Sequence, residues 1–295
     1  MQKPLMFIIN PVAGKGGIKS GLSETLETFY KGGYLPTIYF TAGKGDAIRL
    51  AKEHGPNYDL VVCAGGDGTL SEVVSGLVTL KTPPLLGYIP IGTANDVATT
   101  LNLSRNPVKA AQNIINGRPI PLDVGKFGDD AYFTYIAAFG AFTDVSYETP
   151  QESKQALGHL AYILEGMSRL IKLTHYRCTI EYDGGVIQDD LVFGAVTNST
   201  SVAGLIRLDG SVVELGDGLF EVILVRNPKS VLDMNSIVAD ILSRNYQGEK
   251  FTLFHSKKIR FTFNEPVAWT RDGESGGVHR DVCLENLQAP INILV

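Results

Sequence analysis

Residues 60–80 read LVVCAGGDGTLSEVVSGLVTL: an apolar run, a glycine turn, then an amphipathic segment. The run Leu60–Ala64 has the composition of a buried strand. Beyond the turn, Leu70, Val73, Val74 and Leu77 fall at i, i+3, i+4 and i+7, on one face of a helix. Main-chain N–H groups freed at such a turn, with the positive end of the following helix, form an anion site. Asp67 stands in the middle of it. A carboxylate repels phosphate oxygens unless a divalent cation lies between, or unless it accepts a proton from a hydroxyl. Both arrangements are parts of phosphoryl transfer. The plainer alternative is a structural turn in which Thr69 or Asp67 caps the helix.

The same unit recurs on either side. LMFIIN (5–10) is followed by the loop PVAGKGG and the helical LSETLETFYKGG, and TIYFTAGKG (37–45) by DAIRLAKEHG. LLGYIPIGTAND (85–96) leads into VATTLNL, and a further helix, PVKAAQNIING (107–117), leads to IPLDVGKF. Repeated strand–loop–helix units imply parallel strands with right-handed crossovers, a Rossmann-like α/β sheet. The loops NPVAGKGG, TAGKG, GGDGT and GTAND then lie beyond the carboxyl ends of the strands, where open α/β sheets bind ligands. Their convergence favours nucleotide binding over a merely structural turn. GGDGT lacks the Lys-Ser/Thr of a Walker A loop, and none of the four matches G-x-G-x-x-G.

After about residue 126 the texture changes to alternating, aromatic-rich strands: AYFTYIAAF, YRCTIEYDG, LVFGAVTNS, LFEVILVRN and KFTLFHSKKIRFTF. Asp183-Gly184-Gly185 and Asp217-Gly218 read as hairpin turns, and helices are expected near 153–173 and 230–245. The expected organisation is an α/β nucleotide-binding domain over 1–125 and an antiparallel β-sandwich over 126–285, with a cleft between them. The closing segment 286–295, with its strand APINILV, is expected to return to the first domain.

With 295 residues the chain is long enough for about two domains. Its net charge of −5 gives no general affinity for nucleic acid. Three dispersed cysteines without a C-x-x-C pair, and no signal peptide, suit a reducing cytoplasm. No apolar run approaches the ~18 residues of a membrane span. The five histidines show no H-x-x-x-H spacing, so zinc is not expected.

NPVAG (10–14), GGDGT (65–69) and GTAND (92–96) occur in that order, followed by LGDGLFEV (215–222) and RDGE (271–274). Together they resemble the diacylglycerol-kinase-like lipid kinases, which include sphingosine and ceramide kinases, and most of all the soluble bacterial diacylglycerol kinases. The likeness covers nearly the whole chain and implies a topology like that of NAD kinases. NAD kinases share GGDGT, but the Asn-Glu dipeptide they carry after the fourth strand is absent here.

The resemblance implies ATP as donor, Mg²⁺ as cofactor, and a lipid hydroxyl at a membrane surface, first of all that of diacylglycerol, as acceptor. Asn10, Pro11, Gly14, Thr41, Gly65, Gly66, Asp67, Gly68, Thr69, Leu70, Thr93 and Asn95 would form the nucleotide site. Asp96 would join Asp67 in a carboxylate–water–magnesium network faced by Asp123 from the interdomain hinge. A structural magnesium would be held by Asp217 and the main-chain carbonyls of Glu214 and Leu219. Asp67, Asp272 and Glu274 compete for the role of general base. Each has a plainer rival, since Asp217-Gly218 and Asp272-Gly273 make good turns and Asp96 a helix cap.

Many relatives follow GT-ND with an aromatic residue and Ala-Arg. Here Val97, Ala98 and Thr99 stand instead, which removes a cation near the loop. The basic residues of MSRLIKLTHYR (167–177) and of SKKIR offer a patch for an anionic leaflet, or else solvated faces of a helix and a strand. The alternatives are an NAD kinase-like enzyme, a sphingoid or ceramide kinase, and an inactive nucleotide-binding regulator. Peripheral membrane association and a homodimer are left open.

Overall fold

Four apolar strands alternate with amphipathic helices to build the first sheet. They are β1 (Lys3–Ile9), β2 (Tyr34–Phe40), β3 (Leu60–Gly65) and β4 (Leu85–Pro90). The helices are α1 (Leu22–Lys31), α2 (Asp46–His54), α3 (Asp67–Leu77), the short α4 (Asp96–Thr100) and α5 (Pro107–Asn116), with β5 (Pro119–Leu122) after them. The computed structural model describes residues 2–16, 18, 21–141, 174–202, 206–208 and 214–295. β1 pairs in parallel with both β2 and β3, and β3 with β4.

Alternation along β1 separates two cores. Leu5, Phe7 and Ile9 pack with Phe29 of α1 and Ala110, Ala111 and Ile114 of α5. Met6 and Ile8 pack with Ala47 and Leu50 of α2 and the apolar face of α3. Leu70, Val73, Val74 and Leu77 are all fully buried, each contributing about 2 kcal/mol by leaving water. Helices therefore cover both faces of the sheet, and its ligand-binding end is its carboxyl edge.

The second half forms an antiparallel sheet from β6 (Gly125–Phe127), β7 (Ala131–Phe133), β8 (Ile136–Gly140), β9 (Tyr176–Tyr182) and β10 (Gly185–Thr197). A short pair, β11 (Ser201–Val202) and β12 (Ile206–Arg207), stands apart. β13 (Phe220–Arg226), α6 (Val231–Ser243), β14 (Phe251–Ser256), β15 (Lys258–Arg271) and β16 (Glu274–Asn286) complete it. The order is β14-β13-β10-β8-β15-β16-β6-β7, with β9 pairing both β10 and β15. The sheet is continuous, and it curls so that β7 at one end packs on β13 near the other. Phe133 on β7 stacks on Phe220 of β13 at 5.3 Å, and an aromatic cluster of Phe139, Phe261, Phe263 and Trp269 fills the interior.

Asp183-Gly184 closes the β9–β10 hairpin, while Ser230 caps α6 by accepting the Asp233 N–H at 3.1 Å. The Asp217-Gly218 turn corrects the hairpin expectation. β13 pairs with β10 and β14, so the turn leads into β13 without joining two neighbouring strands. The helix expected over 153–173 lies outside the described residues.

The last strand, β17 (Ile291–Leu294), lies in the first sheet, parallel to β4 and antiparallel to β5. The chain thus leaves the first sheet after β5 and re-enters it at β17. Asp123 sits at the exit. Its side chain is fully buried; Oδ2 accepts from the Gly218 N–H (2.7 Å) and Asn286 Nδ2 (3.1 Å), and Oδ1 from the Ala289 N–H (2.6 Å). One carboxylate therefore ties together the exit, the turn before β13 and the return. Among the described residues, no helix is long and apolar enough to cross a membrane.

Candidate active site

In the order β2-β1-β3-β4 the chain departs from β1 in both directions, so the topological switch point lies between β1 and β3. Three glycine loops meet there. Asn10 Nδ2 donates to Thr69 Oγ1 at 3.0 Å, while Asn10 Oδ1 accepts the Val12 N–H at 3.1 Å. Gly66 and Gly92 pack backbone against backbone, and Gly14, at φ +57°, lies so close to the Ile91 carbonyl that any Cβ would collide with it. The first loop thereby leans on the fourth strand, with Pro11 half-buried between its ends. Thr41 follows β2, its N–H donating to the Ile9 carbonyl at 3.0 Å, and Thr93 is exposed in the fourth loop. Leu70 offers only main chain to this edge, because its side chain is in the core.

Asp67 opens α3 and is 8% exposed. Its Oδ1 accepts the Val97 N–H at 3.3 Å, and the N–H groups of Asn95 and Asp96 also face it. Burial, then the neighbouring charge of Asp96, pushes its carboxyl up to about 6. Two like charges held this close are a place for a proton or a cation. Asn95, at φ +54°, shapes the loop: Nδ2 donates to the Gly92 carbonyl (2.8 Å) and Oδ1 accepts from the Tyr88 hydroxyl (3.3 Å). Thr99 Oγ1 donates to the Asn95 carbonyl at 3.1 Å. A cation still stands at this loop, since Arg105 Nη2 reaches back to the Ala94 carbonyl at 3.0 Å.

The raised Asp67 pKa sets a pH dependence in magnesium-free protein. Folding holds this carboxyl at about 6 against its ordinary 3.8, so the folded state binds the proton more tightly. Its contribution is fully present below pH ~4 and is lost as pH rises through about 6, a change on the order of 3 kcal/mol. Asp67→Asn is expected to flatten that fall and raise Tm above pH 6. Tm profiles from pH 5 to 8 in a chelator check this; parallel profiles for the two proteins would contradict it.

The second half delivers its acids through a hairpin. β15 and β16 are joined by Asp272 and Gly273, at φ +47° and +79°, as a two-residue type I′ turn requires. Asp272 is 4% exposed. Its Oδ2 accepts the Thr134 N–H (2.7 Å), its Oδ1 accepts those of Tyr135 and Ile136 (3.0 Å each), and Ser71 of α3 adds a side-chain hydrogen bond. Burial nonetheless pushes its carboxyl up. These contacts make Asp272 the clamp that ties the hairpin tip to the β7–β8 connection and to α3.

Glu274 is placed differently. Its side chain is 44% exposed, ion-paired with Lys44 Nζ at 2.7 Å across the cleft. Its Oε1 lies 3.4 Å from where a Cβ on Gly68 would stand, against the first turn of α3. The cleft around it, about 140 Å³, is lined by Lys44, Gly68, Ser71, Tyr132, Arg271 and Glu274. Of the three candidate bases, only Glu274 combines access to the cleft with a carboxylate outside a cage of amides.

The turn before β13 fits a cation on different grounds. Asp217 is exposed, with Oδ1 accepting the Leu219 N–H at 2.8 Å, and Glu214 is exposed just ahead of it. Glu221, two residues beyond Leu219, is fully buried with neither carboxylate oxygen hydrogen-bonded to a described residue, and His255 Nε2 stands 3.9 Å from its Oε1. Burial, with the charges of Asp217 and Asp123, pushes its carboxyl up to about 8. Hard oxygens around a buried carboxylate without a hydrogen bond suit Mg²⁺.

In the basic segments, Arg169 and Lys172 lie outside the described residues. His175 Nδ1 bonds Asp190 at 2.6 Å, Lys258 pairs with Glu285 at 3.4 Å and Arg260 with Asp281 at 3.0 Å. In the sequence Lys44, like Lys15, reads as a loop lysine that either touches phosphate or is only solvated, and Arg271 carries no signal beyond the RDGE run. The Lys44–Glu274 pair joins residues far apart in the chain, so no local pattern reveals it.

Residues 4–127 match the family model described as the diacylglycerol kinase catalytic domain. The whole chain is similar to the diacylglycerol kinase of Bacillus subtilis (strain 168), 34% identical over 280 residues, covering 94% of this chain and 91% of that one. It is similarly related to the diacylglycerol kinase of Staphylococcus carnosus (strain TM300), 35% identical over 94% of this chain and 90% of that one. Among solved structures it resembles a Bacillus anthracis str. Sterne protein assigned as a diacylglycerol kinase. The TM-score is 0.80 at 26% identity, over 99% of this chain and 97% of that one.

Proposed function

Because this chain belongs to the diacylglycerol kinase family, we infer that its cleft moves the γ-phosphoryl group of ATP onto the free hydroxyl of diacylglycerol, yielding ADP and phosphatidic acid. The observation that carries this reading is Glu274, brought by the second half against Gly68 in the anion loop of the first and held there by Lys44. A base, an anion cradle and room for an acceptor share one crevice.

In this reading the Gly65–Thr69 amides and the N-terminus of α3 hold phosphate oxygens, with Asn10, Gly14, Thr41 and Thr93 around the nucleotide. Glu274 accepts the proton of the lipid hydroxyl as its oxygen bonds to the γ-phosphorus, and the bond from that phosphorus to the β–γ bridging oxygen breaks, releasing ADP. Asp67 and Asp96 would hold Mg²⁺, which when bound neutralises charge on the phosphate oxygens. Asp272 keeps the hairpin tip in register, and Asp123 fixes the hinge between a nucleotide domain over 1–125 and an acceptor domain over 126–285. Asp217, with the carbonyls of Glu214 and Leu219, would hold the structural Mg²⁺, relieving the buried charge of Glu221. We take the protein to work in the cytoplasm against a membrane surface, since its acceptor partitions into bilayers and ATP is a cytoplasmic nucleotide.

Incubation with γ-labelled ATP, Mg²⁺ and vesicles carrying diacylglycerol, alongside sphingosine, ceramide and NAD, tests the reading. Label is expected in phosphatidic acid. Label on a sphingoid base, ceramide or NAD in preference would overturn the acceptor. Nucleotide binding without transfer to any of them would leave a regulator.

A further inference from the structure

Tyr135 stands between β7 and β8, at the seam where the two halves face each other. Its main chain is pinned on both sides. The N–H donates to Asp272 Oδ1 at 3.0 Å, and the carbonyl accepts from Thr197 Oγ1 at 2.6 Å and from the Asn198 N–H at 2.9 Å. Its ring packs in the large core shared with Tyr88, Val97 and Ile136, leaving the residue 7% exposed. The ring therefore has little freedom, and the hydroxyl has a fixed address. That address lies 3.7 Å from where a Cβ on Gly273 would stand, next in the chain to Glu274. No hydrogen bond joins the hydroxyl to a described residue.

We propose that Tyr135 is a further catalytic residue, whose hydroxyl donates a hydrogen bond to an oxygen of the phosphoryl group in transit from ATP to lipid. The proposal rests on the lipid-kinase reading and adds a donor from the second half to the amides supplied by the first. Its surroundings select this role. Burial first, then the charge of Asp272 on the hairpin turn, with those of Asp67 on α3 and Asp96 on α4 and the Tyr88 phenol on β4, keeps its proton bound well beyond the ordinary tyrosine range. A tyrosine that holds its proton donates, and the natural partner for a fixed donor beside the hairpin tip that carries Glu274 is an oxygen on which charge accumulates. Because the main chain of Tyr135 is anchored in the second half while the anion loop belongs to the first, the donor reaches its target only when the two halves are correctly apposed.

Tyr135→Phe removes one oxygen and leaves the ring packing intact. It is expected to lower kcat for diacylglycerol phosphorylation by on the order of 10- to 100-fold. MgATP affinity should stay within about twofold, and Tm should be unchanged, since the hydroxyl supports no described contact. A Tyr135→Phe protein with kcat within about twofold of wild type overturns the proposal. So does a loss of rate matched by equal losses of MgATP binding and Tm. Wild-type protein that labels no diacylglycerol in the same assay overturns the lipid-kinase reading itself.

Discussion

Glu274→Gln is expected to lower kcat for diacylglycerol phosphorylation by on the order of 10²–10⁴-fold, with MgATP binding and Tm near wild type. Gln has the shape of Glu, and its amide oxygen still accepts from Lys44, so the cross-cleft contact survives. What it cannot do is take a proton from the lipid hydroxyl. The exposure of this side chain makes it a mild substitution for folding, unlike changes at its neighbour two residues earlier. Rapid-quench measurement of the transfer step, with nucleotide binding measured separately, checks both halves of the expectation. A variant turning over within a few-fold of wild type would remove Glu274 as the base and return the role to Asp67.

Asp272→Ala is expected to act through stability. Its carboxylate satisfies the N–H groups of Thr134, Tyr135 and Ile136, all buried. Each donor left without a partner costs about 1–3 kcal/mol, and Ala at φ +47° is more strained than Asp. Release of a buried charge offsets part of this, leaving a net loss of about 3–5 kcal/mol and a fall in Tm on the order of 10 °C. Activity falls with it, because the hairpin tip that presents Glu274 loses its anchor. Asp272→Asn should recover much of the stability, since an amide oxygen still accepts from Tyr135 and Ile136 while its NH₂ cannot accept from Thr134. Thermal and urea unfolding decide the matter. An Asp272→Ala protein with wild-type Tm but no transfer would make Asp272 a participant in the chemistry.

These two neighbours show where reading a sequence stops. RDGE is visible as a motif, and Asp-Gly as a turn, so both acids can be singled out from residue types alone. Which one faces the cleft depends on the turn being type I′, which points Asp272 back into the β7–β8 amides and leaves Glu274 on the strand beside Gly68. Asp217-Gly218 has the same dipeptide and a different outcome, since the strand after it finds its partners elsewhere. Tyr135 carried no signal at all: an aromatic residue in an aromatic-rich strand looks like core, and most of it is.

The α/β order, the glycine loops at one sheet edge, the antiparallel second half and the kinase family were all determined by the sequence itself. Those properties rest on local periodicity, turn chemistry and the order of short motifs, each only a few residues long. Only the tertiary structure decided that Lys44 meets Glu274, that Asp272 is caged by amides, and that the Tyr135 hydroxyl stands beside the hairpin tip. Each of those depends on contacts between segments about 140 to 230 residues apart, set by how the two halves pack, and short-range patterns contain no information about such distances.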